Sequence, residues 1–111
     1  MDIFERTIGY YKTVAGEIPY RKWFDSLKNN QIKQVIDVRL ARVRVGNFGD
    51  CSSVGDGIFE LRIHIHGGYR IFFGQIGNTI VLLLLGGIKK TQVRDIKKAK
   101  DYWSDYKRRI Q

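Results

Sequence analysis

Four basic side chains in the second half of the chain have the types and spacing to hold a phosphate. The stretch Glu60-Leu61-Arg62-Ile63-His64-Ile65-His66 alternates polar and apolar residues, so Arg62 shares a strand face with Glu60, His64 and His66. Gly67-Gly68 is a hairpin signal, and Tyr69-Arg70-Ile71-Phe72-Phe73 returns as the neighbouring strand, with Arg70 across the hairpin from Arg62. Two guanidinium forks on adjacent strands can grip one phosphate. Lys89 and Lys90 follow the last apolar strand, where the final helix starts and backbone N–H groups favour an anion. Arg62, Arg70, Lys89 and Lys90 are therefore the candidate catalytic residues, forming a phosphate site that needs no metal or other cofactor.

RNA can be cut by such a site, because its own 2′-hydroxyl is the nucleophile. The protein must remove the 2′ proton, stabilise charge on the phosphorus oxygens and protonate the leaving 5′ oxygen. Arginine suits the second task. His64, His66, Tyr69, a lysine or Glu60 could serve the others, and the product would be a 2′,3′-cyclic phosphate. Glu60 also reads as the partner of a cross-strand ion pair, and His64 and His66 as solvated strand residues. His64-x-His66 with Cys51 has no metal-binding frame. His64, His66 and Tyr69, with Arg39, Arg42, Arg94, Lys97 and Lys98 on two helices, are the candidate RNA-binding residues.

The elements that must position these groups follow from the pattern. Ile3 to Tyr11 reads as a strand. Pro19 suits a first helical turn, and Tyr20, Trp23, Phe24 and Leu27 make a helical stripe. Asn29-Asn30 ends that helix and can cap a second, running from Gln31 to about Val45. Gly46 to Gly57 reads as a loop. Strands follow at Ile58–His66, Tyr69–Gln75 and Thr79–Leu85, the last apolar on both faces. Thr91 can cap a final helix to about Ile110, with Val93, Ile96, Ala99, Trp103, Tyr106 and Ile110 as its core stripe. The expected fold is a single α+β domain: an antiparallel sheet of about four strands, an N-terminal helical hairpin, a C-terminal helix, and helices on one face of the sheet.

Composition fits this reading. The chain has 111 residues, 43% hydrophobic and 13% aromatic, enough for a core. Twenty Lys+Arg against eleven Asp+Glu give a net charge of +9, an excess that usually meets a polyanion. The lone Cys51 cannot form an internal disulfide, which suits a reducing compartment. The start lacks a basic segment followed by an apolar run, and Thr79–Leu85 is far short of a membrane span. A cytoplasmic protein without a membrane partner is expected.

The chain resembles the RelE/ParE toxin superfamily, and most closely its HigB-like branch, the addiction module killer proteins. The resemblance rests on Arg44-Val-Gly-Asn-Phe-Gly-Asp50, Val54-Gly-Asp-Gly57, Glu60-Leu-Arg62 and Gly68-Tyr-Arg-Ile-Phe-Phe73. It continues through Leu82–Gly87, Lys89-Lys90-Thr91-Gln92 and Asp95-Ile-Lys-Lys-Ala99. It implies a RelE-like fold and a type II toxin that cleaves mRNA on the ribosome, silenced by a helix-turn-helix antitoxin. Family sites use sheet arginines and lysines, which carry over to Arg62, Arg70, Lys89 and Lys90. Many HigB-like toxins place a histidine after the last strand, where this chain has Gly86-Gly87-Ile88-Lys89, so the resemblance leaves the general acid and base open. Some relatives poison DNA gyrase instead, which is the alternative activity, and a non-catalytic RNA-binding module is a third.

Overall fold

The structure is a computed structural model that describes residues 5–110. Five strands form one mixed sheet: β1 (Thr7–Tyr10), β2 (Cys51–Gly55), β3 (Ile58–Ile63), β4 (Tyr69–Ile76) and β5 (Ile80–Ile88), in the order β1-β5-β4-β3-β2. Three helices accompany them: α1 (Pro19–Ser26), α2 (Asn30–Arg44) and α3 (Gln92–Arg109), the last preceded by a 3-10 turn, Lys89–Thr91.

Several elements form for the reasons the sequence supplies. Pro19 opens α1. The Asn29 side chain accepts from the backbone N–H of Gln31 and Ile32 and so caps α2. Gly67 and Gly68 both take positive φ at the β3–β4 turn, and His66 beside them does so too, at φ 45°. Trp103 lies against Gly74 so closely that a Cβ there would stand 2.6 Å from the indole.

The α+β fold with a C-terminal helix is as expected, and four details differ. The sheet has five strands rather than about four, because part of the glycine-rich segment pairs with β3 as β2. β2 buries little and carries two serines and a terminal glycine, so it shows no apolar alternation, and the register shift between Ser53 and Gly55 hides it further. The sheet is mixed rather than antiparallel, because β1 runs parallel to β5, from Thr7 opposite Ile80 to Tyr10 opposite Leu83. Of the expected first strand, residues 3 and 4 lie outside the described residues. The third difference is that helices cover both faces. α1 and α2 pack Tyr20, Phe24, Ile36 and Leu40 against Leu61, Ile71, Phe73 and Leu83. α3 packs Ala99 and Trp103 against Ile58, Phe72, Leu82 and Leu84 on the opposite face. This is why β5 is apolar on both sides. The fourth difference concerns termini: β3 stops at Ile63, leaving His64 and His66 in the turn, and Val93 and Ile110 of α3 are exposed rather than core. Among the described residues no helix is long and apolar enough to cross a membrane.

Candidate active site: a carboxylate-anchored arginine pair

Register places Arg62 directly opposite Arg70 on β3 and β4. Both point to the sheet face that α3 covers, two residues along each strand from Glu60 and Phe72. The start of α3 closes over Glu60, which is 1% exposed. A buried carboxylate needs donors around it, and Glu60 has three. Arg62 Nη1 and Arg70 Nη1 each lie 3.0 Å from its oxygens, and Gln92 Nε2 donates at 2.7 Å. Glu60 is thus the shared anchor of both guanidinium groups.

Arg62 has a second carboxylate on its outer edge. Its Nε and Nη2 both donate to Asp50 Oδ1, at 3.2 and 3.0 Å, while Asp50 Oδ2 lies 2.6 Å from His64 Nε2. Hydrogen bonding from Arg62, and then from His64, holds the Asp50 carboxyl down to about 2. The same pairing pushes Arg62 above its ordinary value. Arg70 is less exposed, at 11% of its side chain against 30% for Arg62, and its buried Nε has no hydrogen-bond acceptor among the described residues.

A pocket of about 290 Å³ opens beside the pair and includes His64, His66, Tyr69 and Lys89 in its lining. Lys89 is held there by its backbone N–H, which donates to the Gly68 carbonyl at 3.2 Å. Lys90 lines an adjoining hollow with His66, Tyr69 and Lys89. Among the described residues neither lysine has an ion-pair partner, whereas both arginines do. The lysines therefore carry the uncompensated positive charge at this end of the sheet.

The other sequence candidates scatter. Arg39 is half-buried on α2 and lines the same groove as Arg42. Its guanidinium donates to the carbonyls of Phe48, Asp50 and Arg62, with Nη distances of 2.6–2.8 Å, tying α2 to β3 and to the segment that carries Asp50. Arg42 is exposed on α2 and lines a groove of about 610 Å³ that shares Arg62 and His64 with the smaller pocket. Arg94 and Lys98 line a separate hollow with Trp23 and Tyr102, between α1 and α3. Lys97 is exposed on α3. Asp50 and Gln92 are site residues that motif reading did not single out. Asp50 sits in an aperiodic glycine-rich turn, and Gln92 reaches Glu60 only because α3 folds across β3.

Burial pushes the Cys51 thiol up, which disfavours a nucleophilic thiolate. No group of three His, Cys, Asp or Glu side chains among the described residues is arranged to hold a metal ion.

Comparison with known proteins follows the same segment. The family model described as Phage derived protein Gp49-like matches residues 22–104, a span from α1 through most of α3 that contains every residue of the arginine site. The chain belongs to this family. Gp49-like proteins are RelE-like, addiction-module proteins associated with toxin–antitoxin toxins. An uncharacterized protein of Haemophilus influenzae is 47% identical to this Gp49-like chain over 87 residues, which cover 78% of the chain and 88% of that protein.

Proposed function

We propose that this Gp49-like protein is the toxin of a type II toxin–antitoxin pair and acts as a metal-independent, ribosome-dependent endoribonuclease, within the HigB-like branch. The observation that carries this reading is the direct opposition of Arg62 and Arg70, both anchored on buried Glu60, beside a pocket also lined by Lys89. Anchoring fixes the guanidinium groups before substrate arrives. Preorganised donors of this kind stabilise charge that develops in a transition state more than charge already present. The scissile phosphate of mRNA would enter the pocket, Arg62, Arg70 and Lys89 would take up charge on its non-bridging oxygens, and Lys90 would guide the approaching backbone. The 2′-hydroxyl of the substrate would displace the 5′ oxygen and leave a cyclic phosphate.

The partners on this reading are mRNA on the ribosome and a cognate helix-turn-helix antitoxin, with the cytoplasm as the working compartment. Primer extension on cellular mRNA after induction tests it. Wild-type protein should produce discrete new 5′ ends, and Arg70→Ala should remove them. Intact mRNA together with gyrase-trapped DNA breaks would replace this reading with the gyrase one.

A further inference from the structure

The general acid is the step for which the arginine pair supplies no group. On the ribonuclease reading above, we propose that His64 protonates the departing 5′ oxygen and that Asp50 is its positioning residue, shared with Arg62. His64 is well exposed, at 72% of its side chain, and borders both the arginine pocket and the α2 groove. The charged residues lining those two hollows are Arg39, Arg42, Arg62, Arg70, Lys89 and Asp50, so Asp50 is the single carboxylate among them.

The 2.6 Å contact defines the tautomer. Asp50 stays ionised down to about pH 2, and an ionised carboxylate can only accept a hydrogen bond. His64 Nε2 therefore carries a proton and donates it to Asp50 Oδ2. Nδ1 is then the ring nitrogen left for substrate, and in the imidazolium it is a donor. Asp50 Oδ1 meanwhile receives Arg62 Nε and Nη2, so one carboxylate sets the phosphate-facing arginine and the proton donor relative to each other. Asp50 is itself fixed by its backbone, whose carbonyl accepts from Arg62 N–H at 2.9 Å and from Arg39 Nη2 at 2.8 Å.

In the reaction the O2′–P bond forms as the P–O5′ bond breaks. The Nδ1 proton passes to O5′, water takes the 2′ proton, and the neutral imidazole regains a proton from water.

A leaving group that needs no proton isolates this role. Ribosomes programmed with mRNA carrying a 5′-bridging sulfur at the cleaved linkage would be compared with ordinary mRNA. With His64→Ala, cleavage of ordinary mRNA should fall by about 100-fold or more, while the sulfur substrate should be cut within a few-fold of the wild-type rate. Asp50→Asn should show a smaller loss with the same rescue, and the Nε2-bound proton of His64, resolved by nitrogen NMR in the wild type, should shift as its charged acceptor becomes a neutral amide. Equal losses on both substrates, or wild-type cleavage of ordinary mRNA by His64→Ala, would overturn the acid role. Faster cleavage by Asp50→Asn would show instead that Asp50 merely blocks Arg62. A wild-type protein that cuts neither substrate would overturn the ribonuclease reading itself, an outcome distinct from an active wild type with an active His64→Ala.

Discussion

Glu60 is the residue on which the site depends most. Removing one member of a buried ion cluster leaves the others desolvated and unpaired. Glu60→Ala should therefore cost about 3–5 kcal/mol in urea unfolding, far more than removal of the exposed pair Lys22–Glu17. Glu60→Gln should cost less stability but loosen both arginines. Asp50 behaves differently because it faces solvent. Its folded pKa, about 2, lies below the value for an unfolded aspartate of about 3.9. Its contribution to stability is thus fully present above about pH 4 and is lost as pH falls toward 2. Asp50→Asn should flatten that part of an acid-unfolding curve followed by circular dichroism. Arg62 and Arg70 were legible as a pair because alternation and a Gly-Gly turn determine which face they share. Glu60 was legible only as the partner of one cross-strand ion pair, which it forms with Arg70; that it is buried and shared with Arg62, and that Asp50 reaches Arg62, depends on β2 and α3 being in place.

At the scale of elements, close approaches explain residues whose type is otherwise unremarkable. A Cβ on Gly87 would overlap the Asp95 carboxylate, which accepts the Thr91 hydroxyl at 2.5 Å and sets how α3 leaves the 3-10 turn. Thr91 thus stands at the start of α3 as expected, yet its hydroxyl serves Asp95 rather than a backbone N–H. Gly87→Ala should force the Asp95 side chain or the α3 start to move. It should destabilise by about 1–3 kcal/mol, as overpacking does, and should lower the thermal midpoint. Gln92 would shift with α3, so on the proposed ribonuclease reading cleavage should fall more than stability alone explains. Arg39 belongs to the same scale: its guanidinium joins α2 to three carbonyls of other segments. Helical periodicity placed it on a charged face, and only the tertiary packing shows that its guanidinium is tied to backbone carbonyls.

For the whole molecule, the net charge of +9 divides unequally. Arg62 and Arg70 are compensated by Glu60 and Asp50, while Lys89, Lys90, Arg42, Lys97 and Lys98 are exposed. If the exposed set positions the protein on RNA, binding should weaken steeply with salt. Each phosphate contact removed should then lower the slope of log K against log salt by roughly 0.7. Replacing Lys97 and Lys98 together by alanine should reduce that slope by roughly 1.4 in filter binding to single-stranded RNA. On the proposed ribonuclease reading the cleavage pattern should not change, since neither residue lines the arginine pocket.

Local pattern alone determined the helices, the hairpin that carries Arg62 and Arg70, the basic excess and the resemblance to RelE-like toxins. Each of these depends on neighbours in sequence: a period of 3.6 or 2, a turn dipeptide, a cap or a short motif. The tertiary structure decided what depends on distant segments meeting. It paired β1 with β5 in parallel, turned a glycine-rich stretch into an edge strand, and put α3 on the face opposite α1 and α2. It also brought Asp50, Glu60 and Gln92 onto one arginine pair. Burial gives a carboxylate its strength as an anchor, and burial is a property of the assembled chain rather than of any one segment.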